Sequence, residues 1–128
     1  MKLLLDTHTA LWWVNEYEKL SLTAKALLLD DRNELHISIA SMWEIAIKAS
    51  LGKMQGLDGG ARAFMAKMKY MPVALLPVST RHVEIVETLP FFHRDPFDRM
   101  LIATAKAEGM TILTVDENIH KYDVPFAW

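Results

Sequence analysis

Four acidic residues stand in separate parts of the sequence, each at a place where a carboxylate could do chemistry. Asp6 follows the apolar run KLLL, Asp116 follows the apolar run ILTV, and Asp98 and Glu44 each lie near the start of a predicted helix. Carboxylates held within a few ångströms repel one another, and each raises the pKa of its neighbours. A hard cation relieves that repulsion, and a site made only of oxygen ligands suits Mg²⁺ or Mn²⁺. Such an ion can activate water and stabilise the charge on a phosphodiester, so the four residues predict a metal-dependent phosphodiesterase, most naturally a nuclease.

Each of these carboxylates also has a purely structural interpretation. Asp6 could cap the helix that follows it, and Asp98 could complement the dipole of its helix. Glu44 precedes Lys48 by four residues, which is the favoured spacing for a helical ion pair. Asp116 could begin a turn. None of these interpretations explains why independent elements all carry a carboxylate at the same edge of a sheet.

The elements that position these residues can be read from apolar patterning. Short apolar or alternating runs predict strands at residues 2–5, 34–39, 73–78, 110–115 and, as an edge strand, 124–128. Helical periodicity predicts helices at 7–15, 22–31, 41–52, 61–71, 79–89 and 97–109, with a further turn of helix after Asp116. Strands that alternate with helices indicate an α/β fold with a mostly parallel sheet of about five strands and helices on both faces. The carboxyl ends of parallel strands share one edge, where ligands bind.

Capping residues and glycines delimit these elements. The expected N-caps are Ser21, Ser41 and either Ser79 or Thr80, and the expected stops are Gly52 and Gly109. A cluster of glycines, Gly56, Gly59 and Gly60, predicts a loop. Neither a repeat nor a linker interrupts the sequence, so we expect a single domain over residues 1–128.

Composition narrows the class of protein. The chain has 128 residues, of which 52% are hydrophobic and 23% charged, as in ordinary globular proteins. A net charge of −2 does not indicate a strongly basic nucleic-acid binder, although a local basic patch is compatible with it. The sequence contains no cysteine, which excludes a disulfide scaffold and a thiolate zinc site. It also lacks a secretory signal pattern and an apolar run of about 18 residues, so we expect a soluble cytoplasmic protein without a membrane span.

Four ordered segments, LLLDTHTALW, SMWEIAIK, HRDPFDRMLIATA and ILTVDENI, together resemble the PIN-domain family of ribonucleases. Within that family they resemble the VapC-like toxins of type II toxin–antitoxin systems. The resemblance covers essentially the whole chain. It implies a three-layer PIN-like α/β fold and an acidic pocket that binds Mg²⁺ or Mn²⁺ and cleaves RNA by metal-assisted hydrolysis. It also implies a homodimer and a small antitoxin whose tail lies over the pocket.

The resemblance assigns roles to individual positions. Asp6 and Asp98 look like direct metal ligands of the family. Glu44 looks like the helix glutamate that ligates the metal or orients a metal-bound water, and Asp116 looks like a more peripheral fourth carboxylate. Thr114 stands where the family commonly has a hydroxyl that supports the pocket.

Residues around Asp98 allow more than one role. Asp95 is either a fifth carboxylate of the pocket or the cap of the helix that carries Asp98. Arg94 and Arg99 are candidates to hold a phosphate near the metal, and Arg99 could equally pair with a neighbouring carboxylate. His8, His93 and the other histidines do not have metal-ligand spacing, and we assign His8 no catalytic role.

Alternatives from other functional classes stay open at this point. A PIN-fold nuclease of RNA processing would need no antitoxin, and a neighbouring gene for a small DNA-binding protein would separate it from a toxin. A non-catalytic binding module could retain the pocket, although the complete acidic set argues against it. A phosphatase-like or response-regulator domain would want paired acids after the first strand, where this chain has Asp6 alone.

Overall fold

A computed structural model describes residues 1–54 and 58–128 of the chain. Gly56 of the predicted loop lies outside the described residues, and Gly59 precedes a helix that begins at Gly60. The described strands are β1 (Lys2–Leu5), β2 (Glu34–Ser38), β3 (Ala74–Leu76), β4 (Thr111–Leu113) and β5 (Phe126–Ala127). The described α-helices are α1 (Thr7–Asn15), α2 (Leu22–Leu29), α3 (Ile39–Ser50), α4 (Gly60–Met68), α5 (Thr80–Thr88), α6 (Pro96–Glu108) and α7 (Glu117–His120). A 3₁₀ turn at Tyr17–Lys19 joins α1 to α2.

The strands form one parallel sheet in the order β3-β2-β1-β4-β5. Leu5, the last residue of β1, is opposite Ile37 of β2 and Leu113 of β4. The second and third strands, β2 and β3, therefore lie on one side of β1, and the later strands β4 and β5 lie on its other side. This change of direction places a crevice at the carboxyl end of β1, where open α/β sheets bind ligands.

The core lies on both faces of β1. Leu3 and Leu5 pack on one face with helices α1 to α4, and Leu4 packs on the other with α5, α6 and α7. Alternation of the three leucines follows from the pleat, which turns successive side chains to opposite faces. All three are fully buried, so an apolar run without polar interruption is what this position requires. The predicted three-layer α/β fold with a parallel five-stranded sheet is confirmed.

Helix ends mostly follow the predicted caps. Ser21 caps α2, and Ser79 rather than Thr80 caps α5. Gly109 ends α6 in the left-handed conformation, with φ of 66°, which a residue without a Cβ adopts readily.

The predicted cap of α3 is wrong. Ser38, not Ser41, accepts a hydrogen bond from the N–H of Ala40 (3.0 Å), and the helix begins at Ile39. Ser41 is buried one turn inside the helix. The isoleucine at position 39 extends the β-like pattern past the true end of β2, so the sequence pattern predicts the start of α3 too late.

In the residues that the structure describes, no helix has the length and apolar character needed to cross a membrane.

Candidate active site

Asp6 lies at the carboxyl end of β1 and is both a helix cap and a buried carboxylate. Its Oδ1 accepts a hydrogen bond from the N–H of Thr9 (2.7 Å), which caps α1. Its Oδ2 accepts a hydrogen bond from the hydroxyl of Thr114. Burial raises the pKa of Asp6, and the hydrogen bonds from Thr114 and Thr9 oppose that rise. The capping interpretation is therefore correct, and it leaves a nearly inaccessible charge at the crevice.

Thr114 joins the ends of β1 and β4. Its fully buried hydroxyl donates to Asp6 and accepts a hydrogen bond from the N–H of Asp116 (3.0 Å). The carboxylate of Asp116 in turn caps α7 by accepting from the N–H of Asn118 (2.8 Å). One hydroxyl thus fixes the carboxylate of Asp6 relative to the backbone of Asp116.

Glu44 reaches the same region from α3. It is buried, and its Oε1 accepts a hydrogen bond from the hydroxyl of Thr7 (2.6 Å), the residue next to Asp6. Its Oε2 accepts from the ammonium of Lys48 (2.6 Å). The predicted ion pair between Glu44 and Lys48 is therefore present, and it lies at the site instead of on a solvated face.

Lys48 connects α3 with the start of α6. The hydrogen bond to Glu44, with smaller contributions from the charges of Asp95 and Asp98, raises the pKa of the Lys48 ammonium. The side chain of Lys48 is 36% exposed, so solvent weakens these interactions.

Asp98 occupies the first turn of α6. Its Oδ2 lies 3.1 Å from Nε2 of His93. Burial, with smaller contributions from the charges of Asp95 and Asp116, raises the pKa of Asp98 to about 7, and the hydrogen bond from His93 opposes the rise. Carboxylates at the starts of two helices, α6 and α7, therefore act on one another at this edge of the sheet.

Asp95 is the N-cap of α6. Its Oδ1 accepts hydrogen bonds from the N–H groups of Phe97 (2.9 Å) and Asp98 (3.0 Å). Of the two predicted roles, the structure shows the helix cap. The charge of Asp95 nevertheless adds to the negative potential at Asp98.

The two arginines near α6 differ in their surroundings. Arg99 is buried, and its guanidinium donates to the carbonyl oxygens of Pro90 (2.7 Å) and Leu89 (3.2 Å) and to the hydroxyl of Tyr122 (3.0 Å). The expectation that Arg99 holds a phosphate or pairs with a carboxylate is therefore wrong, because its donors are used to hold the loop before α6. Arg94 is exposed on that loop.

Two residues of the site were missed at the level of sequence. Thr7 orients Glu44 across 37 residues of chain, and His93 contacts Asp98 across a proline. The position of Thr7, directly after Asp6, was an available signal, since a hydroxyl beside a buried carboxylate needs a partner. His93 gave no signal, because a contact across an irregular loop follows no fixed spacing.

The donor chemistry of the site fits a hard divalent cation, although the side chains are not gathered around one. Among residues 1–54 and 58–128, no three acidic or histidine side chains lie close enough together to hold a metal ion. The oxygens of Asp6 and Glu44 accept hydrogen bonds from protein groups instead. Still, the candidate ligands are all carboxylates. Burial, and to a smaller extent the charges of Asp95 and Asp116, raise the pKa of Asp98, and a cation bound there would favour its ionised form.

A family model and one curated relative each match nearly the whole chain. The family model described as "PIN domain" matches residues 3–125. Ribonuclease VapC22 of Mycobacterium tuberculosis (strain ATCC 25618 / H37Rv) is 28% identical over 125 residues, which are 95% of this chain and 92% of that protein.

Solved structures share the fold. VapBC2 from Rickettsia felis, bound to a DNA fragment from its promoter, contains a chain that superposes with a TM-score of 0.73 at 14% identity, covering 99% of this chain and 98% of that one. The toxin VapC20 of Mycobacterium tuberculosis, described as cleaving the sarcin–ricin loop, superposes with a TM-score of 0.69 at 17% identity, covering 95% of each chain. At such identities the likeness concerns the fold alone.

Proposed function

Because this chain belongs to the PIN domain family, we propose that it is a metal-dependent endoribonuclease and the toxin of a type II toxin–antitoxin pair. The observation that supports this most strongly is a network of buried hydrogen bonds at the carboxyl end of β1. On one side Asp6 connects through Thr114 to Asp116, whose charge acts on Asp98. On the other side it connects through its neighbour Thr7 to Glu44 and Lys48, on whose ammonium the charge of Asp98 also acts.

In this proposal Asp6 and Asp98 hold Mg²⁺ or Mn²⁺, with Glu44 and Asp116 as further ligands or as acceptors for bound water. The ion supplies Lewis-acid stabilisation of the phosphodiester charge and an activated water. The protein's own part is orientation, since Thr114 fixes Asp6 while Thr7 and Lys48 fix Glu44 in a region where water has little access.

Substrate positioning is assigned to cationic side chains beside the carboxylates. Arg94 is exposed on the loop that leads to Asp98, where its guanidinium can bind a phosphate in bidentate fashion. Lys48 of α3, which is paired with Glu44 and 36% exposed, supplies a second positive charge. RNA as the substrate is supported by the name of the relative VapC22 and by the description of VapC20 as a toxin that cleaves RNA of the sarcin–ricin loop. A cytoplasmic location is part of the same proposal.

Protein partners are a small antitoxin and a second copy of this chain. The antitoxin is supported by a structural neighbour described as a toxin–antitoxin complex from Klebsiella pneumoniae, which superposes with a TM-score of 0.56 at 17% identity. A protein partner is further supported by an apolar cavity of about 410 Å³ between α3, α5 and α6, lined by Trp43, Phe97 and Met100. Trp43 is 63% exposed there, and exposed apolar surface of this kind is typical of protein interfaces.

Cleavage of a mixed RNA pool by the purified protein tests the function. Incubations with Mn²⁺, Mg²⁺ or EDTA would be compared for the wild type, Asp98→Asn and Asp31→Asn. Asp31 is an exposed carboxylate before β2, at the opposite edge of the sheet, and serves as the matched control. We expect cleavage with a divalent ion by the wild type and the control, and loss of cleavage with EDTA or in Asp98→Asn. Cleavage that persists in EDTA or in Asp98→Asn would contradict the proposal, and folded wild type that cuts no RNA would favour a binding module.

A further inference from the structure

His93 lies between Asp98 and a buried hydrogen-bond network that the proposed chemistry does not use. Its Nε2 is 3.1 Å from Oδ2 of Asp98, and its Nδ1 is 2.9 Å from the hydroxyl of Tyr122. The same hydroxyl accepts a hydrogen bond from the guanidinium of Arg99 (3.0 Å). A continuous chain of contacts therefore runs from a buried arginine to a candidate metal ligand.

The direction of each hydrogen bond follows from what the groups can donate. A guanidinium has donors only, so the Tyr122 oxygen must accept from Arg99. The Tyr122 proton then goes to its nearest acceptor, Nδ1 of His93, which at 2.9 Å is closer than the carbonyl oxygen of the same residue at 3.4 Å. With Nδ1 as an acceptor, the neutral imidazole carries its proton on Nε2. His93 is thereby set to donate to Asp98.

The network is anchored at its far end. The guanidinium of Arg99 donates to the carbonyl oxygens of Pro90 and Leu89, which fixes the segment between α5 and α6. The ring of Tyr122 packs edge-to-face on the ring of Phe92, with 5.1 Å between their centroids. It also packs edge-to-face on the ring of His93, with 5.5 Å between their centroids. The imidazole therefore has a fixed position and a fixed tautomer before any ligand binds.

We propose that His93 is a positioning residue, which acts with Tyr122 to orient the Asp98 carboxylate for a divalent cation. This inference rests on the proposed function, in which Asp98 is a ligand. The hydrogen bond engages one carboxylate oxygen, which sets the rotation of Asp98 and would leave the other oxygen available to a cation. Groups that hold metal ligands in this way commonly change metal affinity by about 10- to 100-fold when they are removed.

Equilibrium binding of Mn²⁺ to the folded proteins, followed by electron paramagnetic resonance of the free ion, tests the inference. We expect His93→Leu to weaken Mn²⁺ binding by about 10-fold or more, because the donor is lost. His93→Gln keeps a side-chain N–H near the position of Nε2 and should retain most of the affinity. Tyr122→Phe, which removes the group that orients the imidazole, should fall between them.

His82→Leu is the matched control. His82 is also a buried histidine paired with a carboxylate, Glu108 at 2.8 Å, but it lies in the first turn of α5, where its ring accepts a hydrogen bond from the backbone N–H of the cap Ser79. Its replacement should lower the melting temperature and leave Mn²⁺ affinity unchanged, which separates a positioning effect from loss of stability.

Unchanged Mn²⁺ affinity in folded His93→Leu would overturn the inference, as would an equal loss in His82→Leu. If His93→Leu does not fold, Tyr122→Phe decides, since weaker binding supports the positioning role and unchanged binding overturns it. Wild type that neither binds Mn²⁺ nor cuts RNA would overturn the proposed function and this inference with it. Wild type that binds and cuts, with the His93 variants indistinguishable from it, would overturn this inference alone.

Discussion

At the scale of single residues, a carboxylate can cap a helix and also act on a neighbouring charge. Asp6, Asp95 and Asp116 each accept a backbone N–H at a helix start. The charges of Asp95 and Asp116 also contribute to the raised pKa of Asp98. Capping explains how such charges can be kept together without a cation, because backbone donors stabilise the ionised form. Burial, together with the repulsion that these backbone donors do not offset, raises the pKa of Asp98.

The pH dependence of stability should reveal that repulsion. The pKa of Asp98 is raised from 3.8 to about 7 in the fold. Its favourable contribution is thus complete below pH 4 and is lost as the pH rises through 7. In EDTA, Asp98→Asn should be more stable than the wild type at pH 8, by about 1–3 kcal/mol, with little difference at pH 4. Urea unfolding at both pH values would measure this, and a wild type more stable than the variant at pH 8 would contradict it.

The Thr114 hydroxyl should be needed for activity. Thr114→Val keeps the shape but leaves the buried Asp6 oxygen without its donor, which should cost about 1–3 kcal/mol of stability. RNA cleavage should fall about 10-fold or more, because Asp6 loses its fixed orientation. Thr104→Val is the control, since the hydroxyl of that equally buried threonine bonds only within α6. Activity in Thr114→Val equal to that of the control would remove Thr114 from the site.

Residue types and their positions were enough to select the acidic residues as candidates. The hydrogen-bond partners of those residues were harder to predict from the sequence. The spacing of Glu44 and Lys48 indicated an ion pair correctly, whereas its burial against Thr7 depends on the packing of α3 on α1. Arg99 was assigned to a phosphate because it stands beside Asp98 in sequence. Its side chain turns to the carbonyl oxygens of a loop, a contact that adjacency cannot reveal.

At the scale of elements, α6 has the clearest sequence signals for its two ends, and it carries two of the candidate site residues, Asp95 and Asp98. Asp95 caps its start, which was one of the two roles that the sequence left open, and Gly109 ends it as predicted. Ser38 shows where such signals fail, because two serines stood near the end of β2 and the apolar pattern continued between them. Only the backbone of the folded chain distinguishes the cap from the buried Ser41.

Substitutions of Asp95, the cap of α6, can separate the effect of its charge on stability from the effect of its capping hydrogen bonds. Asp95→Asn retains an acceptor for the N–H groups of Phe97 and Asp98, so its stability should stay close to wild type. Asp95→Ala should lose about 1 kcal/mol, a typical cost of removing an N-cap. Thermal unfolding of both variants measures this, with Ser21→Ala at the cap of α2 as a matched control for cap loss. Equal losses in Asp95→Asn and Asp95→Ala would show that the charge, and not the cap, stabilises α6.

At the scale of the whole molecule, β1 is the element on which the fold and the site both depend. Its leucines face two separate apolar clusters, which together with the sheet form what we propose is a single domain. The alternation of strands and helices predicted the class of fold and the parallel sheet. The order of the strands was not predicted, since a short apolar run does not specify its neighbours. That order is what brings β1 and β4 side by side, and with them Asp6 and Thr114.

A divalent ion should stabilise the whole molecule. Binding to the folded state alone contributes about 2.7 kcal/mol when the ion is at 100 times its dissociation constant. The melting temperature should therefore rise by several degrees with Mn²⁺ in the wild type and in Asp31→Asn, and should change little in Asp98→Asn. A similar rise in all three proteins would indicate binding elsewhere on the surface.

The central claim is that the carboxylates at the end of β1 hold a divalent ion. The measurement that tests it most directly is anomalous diffraction from crystals of this protein grown with Mn²⁺. We expect a manganese peak at the carboxyl end of β1, bound by oxygens of Asp6 and Asp98, with Glu44 or Asp116 as a further ligand or as a partner of bound water. A fully occupied peak elsewhere, or none at this edge under conditions in which RNA is cut, would contradict it.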